Sequence, residues 1–203
     1  MKKKLTSNLI KSLLALSLLF NISCSNEGIE DSENVVVETA TTEFDESQVS
    51  KPWDNDVEVP KAGKTYYIAN VNSGRFLDVE DESKKNGANV YQWDYHGGEN
   101  QQWKVIETSD KKGMILQSVN SGKCLDVANM SENMGGNVHQ WGYWGGENQK
   151  WKITHLETKE CFLMNMNSGH YLEVTAAKTG KTANVQQWGK NTGQHQRWWF
   201  IPI

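Results

Sequence analysis

The sequence is poor in the features that mark most function classes. Three of its 203 residues are cysteines and three are prolines. Cys24 closes an apolar leader, so Cys124 and Cys161 alone remain for the rest of the chain. They are too few for a disulfide framework and lack the Cys-x-x-Cys spacing of a metal site, so both read as buried free thiols. Long apolar runs are missing apart from Leu13 to Phe20, which is too short to cross a bilayer comfortably. No window sustains a helical period, which argues against an α-helical or α/β fold. The net charge of −4 conceals a skew. Residues 25–59 hold eleven acids against Lys51, while residues 60–203 hold sixteen bases and fourteen acids. A folded part so near neutrality excludes the basic surface that nucleic acid requires.

Catalytic and metal signatures are missing as well. The five histidines show no His-x-x-x-His spacing and read as scattered surface groups, and there is no Asp-rich calcium loop. Neither Gly-x-Ser-x-Gly nor a phosphate-cradling loop occurs. A glycosidase needs two facing carboxylates. Asp78 and Asp94 could form such a pair in one place, but the second position becomes Gly142 and Gly189 further along. The expectation is a protein that is not an enzyme and carries neither cofactor nor metal.

The chain does contain an export signal, a tail and a repeat. Residues 1–24 carry four lysines and no acid, then the apolar run and Ser23-Cys24, which is the pattern of a secretory signal. It resembles a bacterial lipoprotein signal with Cys24 as the acylated residue, although Asn21 stands where a leucine is usual. The expected location is the outer membrane or cell surface, or the exterior as a secreted protein, with membrane contact only through that lipid. Residues 25–62 read as an acidic flexible linker, too poor in apolar residues to repay the entropy of ordering. As a random coil it would span roughly 33 Å.

Residues 63–203 repeat themselves. Asn72-Ser73-Gly74 returns as Asn120-Ser121-Gly122 and Asn167-Ser168-Gly169, while "LDV" returns as "LDV" and "LEV". "GGENQQW" at 97–103 returns as "GGENQKW" and, altered, as "TGQHQRW". Three copies, about 63–110, 111–158 and 159–203, each read as four short strands separated by turn residues. A closed all-β arrangement hides the sheet edges that an open solenoid of three turns would leave bare.

The trio Gln101-x-Trp103, Gln149-x-Trp151 and Gln196-x-Trp198, with an acid and an aromatic at fixed offset before each, resembles the ricin-type β-trefoil lectins. That resemblance covers essentially all of residues 63–203. It implies a β-trefoil with pseudo-threefold symmetry: twelve strands, six closing a barrel and six forming three capping hairpins. It also places Trp103, Trp151 and Trp198 in the common interior.

Trp93, Trp141 and Trp188 lie beside Gly-containing turns, where the chain leaves a strand for the surface. A sugar presents one face of C–H bonds and edges of hydroxyls, so its site wants a flat aromatic with a carboxylate and an amide. Asp78, Trp93, Asn100 and Gln101 supply that set in the first copy; Asp126, Trp141, Asn148 and Gln149 supply it in the second. The resemblance gives Asp and Asn the hydroxyl contacts, the aromatic the stacking and Gln the support of Asp. Where the family often has Gln two places before the stacking ring, this chain has Tyr91, His139 and Gln186. In the third copy Glu173 replaces Asp and His195 replaces Asn, so Glu173, Gln186, Trp188, His195 and Gln196 form a weaker site. Trp144 adds a further stacking surface beside the second.

The expected function is non-catalytic binding of galactose- or xylose-type glycans by a monomeric module. The rival is a protein-binding trefoil, an inhibitor or adhesin, that turns the same aromatics on a protein partner.

Overall fold

The computed structural model describes residues 56–203. The export signal, Cys24 and linker residues 25–55 lie outside the described residues.

Each copy contributes four strands. The first has β1 (Thr65–Asn70), β2 (Phe76–Val79), β3 (Val90–Trp93) and β4 (Gln102–Glu107). The second has β5 (Met114–Ser118), β6 (Cys124–Val127), β7 (Val138–Trp141) and β8 (Trp151–His155). The third has β9 (Cys161–Asn165), β10 (Tyr171–Val174), β11 (Val185–Trp188) and β12 (Trp198–Pro202). Antiparallel pairing runs β1–β4–β5–β8–β9–β12 and back to β1, which closes a six-stranded barrel. The remaining strands pair as the hairpins β2–β3, β6–β7 and β10–β11. This is the β-trefoil.

Closure follows from alternation. In β4, Trp103 and Val105 are fully buried while Lys104 faces solvent, and the same period sets Trp151 and Trp198 at the barrel's centre. Each of these indoles donates Nε1–H to the carbonyl of a buried leucine: Leu77 at 3.0 Å, Leu125 at 3.1 Å and Leu172 at 3.0 Å. The interior is not strictly symmetric. Tyr66 and Phe200 meet edge to face at 5.5 Å, and the position that is Tyr66 in the first copy is Met114 and then Cys161.

The Asn-Ser-Gly motif joins neighbouring copies. Its serine donates to the buried glutamine of its own hairpin, Ser121 Oγ to Gln140 Oε1 at 2.6 Å. Gln140 Nε2 then donates to Ser83 O and Lys85 O of the preceding copy, at 2.7 and 3.0 Å. Gln92 and Gln187 repeat this arrangement. On the pseudo-threefold axis Asn89, Asn137 and Asn184 form a closed ring of amides, each donating to the next at 2.8 to 3.0 Å.

Two sequence expectations bear on this description. The linker ends before residue 62: Val57 is buried, Glu58 N–H donates to Phe200 O at 3.0 Å, and Lys159 Nζ donates to Val57 O. An apolar side chain and a backbone hydrogen bond to β12 hold these residues on the barrel despite their acidic composition. Cys124 and Cys161 are free and buried, and burial pushes both thiols up to about 12. In the native protein at about pH 8 neither is expected to react with an aromatic disulfide reagent, and both are expected to react after unfolding in urea. Mass spectrometry of the labelled peptides checks this.

Candidate functional site

The hairpins build three equivalent faces. Directly opposed residues of an antiparallel pair point to the same side. In β2–β3, Leu77 faces Gln92 and Val79 faces Val90 on the inner side; Phe76 faces Trp93 and Asp78 faces Tyr91 on the other. The second hairpin sets Asp126 opposite His139 and Cys124 opposite Trp141, and the third sets Glu173 opposite Gln186 and Tyr171 opposite Trp188. A one-turn 3-10 helix then brings a polar pair under each face: the amides Asn100 and Gln101, the amides Asn148 and Gln149, and His195 with Gln196. The structure thus brings together every residue set expected from the sequence. The acids and their amides lie deeper than expected for a rim, because Asp78, Asp126, Glu173, Asn100, Asn148 and the three glutamines are all buried.

The first site is filled by its own chain. Asp78 Oδ1 accepts from Asn100 Nδ2 at 2.9 Å, and Oδ2 meets both Gln101 Nε2 at 2.8 Å and His96 Nε2 at 3.0 Å. Burial pushes the Asp78 carboxyl up from its ordinary range, against the lowering by His96, Gln101 and Asn100. The Trp93 ring is half-buried, with Lys181 Nζ 5.2 Å from its centroid. The adjoining turn differs too. Gly87 and Gly135 pack at positive φ against Trp141 and Trp188, whereas the equivalent Thr182 holds φ 67°, a strained conformation for a β-branched residue.

The second site is open. Asp126 Oδ1 accepts from Asn148 Nδ2 at 2.9 Å and meets His139 Nε2 at 3.0 Å, but Asp126 Oδ2 accepts no hydrogen bond from any described residue. Gln101 Nε2 also donates to Asp94 O and its Oε1 accepts from His96 N–H; Gln149 repeats both bonds, to Gly142 O and from Trp144 N–H, but makes no hydrogen bond to the acid. Above the carboxylate is a cleft of about 180 Å³ lined by Asp126, Asn129, Met130, His139, Trp141, Trp144 and Asn148. Trp141 is 40 % exposed and Trp144 54 %. The His139 ring stacks on Trp141 at 5.5 Å and 24°, which fixes the indole plane. Asn148 also donates to Val127 O at 3.0 Å, and its Oδ1 is buried without a partner among the described residues.

In the third site both Glu173 oxygens are used, Oε1 by Gln186 Nε2 at 2.9 Å and Oε2 by Gln196 Nε2 at 2.8 Å. His195 Nε2 lies 3.4 Å from Oε2. The longer side chain has carried the carboxylate into its own amides, while Trp188 stays 41 % exposed.

Several of these determinants escape a sequence reading. The histidines are not scattered: His96, His139 and His195 each face a carboxylate. His96, Trp144 and Asn191 occupy one repeat position, and that position governs access to the acid. The signal lay in its change from His96 to Trp144 beside a "GGENQ" that the first two copies share. Asn86, Met134 and Lys181 form a second such position, each on the copy preceding the tryptophan it borders. His96→Asn with Lys181→Asn places at both positions the residue found in another copy. The double variant is expected to take the His96 contact from Asp78 and the Lys181 cation from Trp93, but Gln101 keeps Asp78 Oδ2, so calorimetric titration with a sugar is expected to show no second site.

The amide loops are held unequally. Asn70 Nδ2 donates to His195 O at 3.0 Å and Asn165 Nδ2 to Asn148 O at 2.9 Å, but the equivalent residue behind Asn100 is Ser118, whose buried Oγ has no partner among the described residues. Ser118→Asn is expected to raise stability by about 1 kcal/mol in urea unfolding.

Among the described residues no group of three or more His, Cys, Asp or Glu side chains is placed to hold a metal ion.

Comparison with known proteins gives the class. The family described as "Ricin-type beta-trefoil lectin domain-like" matches residues 52–141 and 147–203. This chain therefore belongs to the ricin-type β-trefoil lectin domain-like family. It is similar to the designed threefold-symmetric protein ThreeFoil, at 40 % identity and TM-score 0.67, over 68 % of this chain and 99 % of that one. It is also similar to an exo-β-1,3-galactanase from Clostridium thermocellum, at 31 % identity and TM-score 0.67, over 72 % of this chain but 31 % of the enzyme. A Macrolepiota procera ricin B-like lectin solved with lactose matches at 25 % identity and TM-score 0.62, over 71 % of this chain and 99 % of that lectin. No curated protein matches the chain.

Proposed function

We propose that this protein binds carbohydrate without catalysis and that the cleft of the second copy is its working site. The observation that carries the reading is the unpartnered Asp126 Oδ2 at the base of a cleft walled by two exposed indoles. A carboxylate oxygen that reaches the cleft with no donor among the described residues is an acceptor held ready for hydroxyls, and Trp141 offers the flat apolar surface that a pyranose ring covers. Galactose- and xylose-type sugars fit this pairing of acid and indole, and membership of a lectin family and the lactose-bound fungal neighbour support the same class. Catalysis lacks its second group, since Asp94 is exposed and paired with Arg75 at 2.8 Å. The signal and linker add an export route and a tether, so the domain is a capture module at the cell surface.

The test is calorimetric titration with galactose, lactose, xylose and xylobiose, guided by a glycan array. One shallow site is expected to give dissociation constants of about a millimolar, near −4 kcal/mol. Trp141→Ala should abolish the heat signal with the fold intact. Absence of binding to all glycans, with capture of a protein ligand instead, would replace this reading by the protein-binding one.

A further inference from the structure

The third copy keeps its indole in the open after its carboxylate has been taken up by Gln186 and Gln196. A separate sugar pocket would need that acceptor; a stacking surface would not. The loop that follows β6 leads from one site to the other. Its Met130 lines the second cleft, and Met134 at its far end has Sδ over Gly189, where an added β-carbon would be 3.3 Å away, next to Trp188. Trp188 in turn packs on Gly135 of the same loop.

Both methionines are exposed, at 48 and 55 %. A contiguous exposed apolar strip marks an interaction surface. Its counterparts are different: Glu82 and Asn86 in the first copy, Ala177 and Lys181 in the third. Thus two thioethers bridge two indoles at one junction of the trefoil. Four residue steps separate Met130 from Met134, so the bridge is roughly 14 Å at most, the reach of a short run of pyranose rings. The loop is also anchored. Gln187 Nε2 donates to Ser131 O and Asn133 O, and Asn167 Nδ2 donates to Met130 O.

Resting on the function proposed above, we infer that the second and third copies form one continuous platform for a neutral polysaccharide chain. One unit is held by Asp126 between Trp141 and Trp144, and later units lie along Met130 and Met134 to stack on Trp188. The third site is an extension of the second. Residues 128–136 contain Glu132 and no lysine or arginine, so the loop between the two indoles offers an acidic polymer no counter-charge. A chain of neutral sugars offers the C–H faces that thioethers and indoles cover.

Affinity against chain length tests this, with xylo-oligosaccharides and β-linked galacto-oligosaccharides of one to six units as the two probe series. In one of them the hexamer is expected to bind at least about tenfold tighter than the dimer, beyond the statistical gain from its equivalent frames. Met134→Asn, which installs the residue of the first copy, should bring the hexamer to within about threefold of the dimer and leave monosaccharide binding unchanged. Trp188→Ala should lower hexamer affinity similarly. Equal affinity at every length, with Trp141 still required, would overturn the platform and leave the single site standing. So would a length dependence that both variants preserve. Failure of every sugar to bind the full chain would remove the platform and the proposed function together.

Discussion

Trp151→Ala is expected to lower the stability of the domain by about 3–5 kcal/mol, whereas Trp141→Ala should change it by less than about 1 kcal/mol. The two residues are ten apart in the same copy and differ only in where alternation points them. Trp151 is completely buried, contributes its indole to the barrel's centre and donates Nε1–H to Leu125 O at 3.1 Å. Its removal leaves a cavity that a barrel closed by six strands cannot collapse to fill, and strands that carbonyl without its donor. Domains of this size are stable by only about 5–15 kcal/mol, so the variant should populate unfolded chain near physiological temperature. Trp141 is 40 % exposed and rests on Gly87 of the neighbouring turn, so its loss uncovers little. Urea unfolding followed by far-ultraviolet circular dichroism gives both values, and similar losses for the two variants would contradict the separation of core from site.

Asp126→Asn is expected to reduce sugar affinity about a hundredfold while leaving the fold in place. The substitution is isosteric, and its carbonyl oxygen can still accept from Asn148 Nδ2, which lies 2.9 Å from Oδ1 in the native protein. It replaces the free Oδ2 by an amide nitrogen, so the acceptor facing the cleft becomes a donor and the charge is lost. Hydrogen bonds to a charged acceptor contribute about 1.5–3 kcal/mol each, so loss of one or two corresponds to roughly that factor. The same change at Asp78 should have almost no effect on binding, because Asn100 already occupies its Oδ1 and His96 and Gln101 its Oδ2. Paired calorimetric titrations of the two variants check the contrast. Equal effects at Asp78 and Asp126 would mean that the two sites work alike.

The barrel was legible because the repeat is in register and a strand's period is exact. Once "LDV" and "QWKV" are read as alternating, Leu77, Val79, Trp103 and Val105 must share the interior and Asp78 must point the other way. The clasp through Gln92, Gln140 and Gln187 was not legible, since a glutamine before a surface tryptophan reads as polar exterior. It is buried because its amide satisfies carbonyls of another copy, 54 to 88 residues away in sequence. The site was legible as a set of residue types and not as a state. Whether an acid oxygen is free depends on whether His96 or Trp144 stands at the start of the loop, and on whether the loop's glutamine reaches the acid, as Gln101 does. The burial of Asp78 and Asp126 was missed for a related reason: a carboxylate that serves a ligand is first held by its own amides, and that support covers it.

The central claim is that one of three related faces is open, the face with Trp141 above a carboxylate oxygen lacking a protein donor. Proton–nitrogen correlation spectra of the indole N–H groups, recorded while a neutral oligosaccharide selected on the glycan array is added, address it most directly. The expected result is movement of the Trp141 and Trp144 signals at low ligand concentration, with those of Trp93, Trp103, Trp151 and Trp198 unchanged. Movement of Trp93 in place of Trp141, or stationary signals for both Trp141 and Trp144 under saturating sugar, would contradict it.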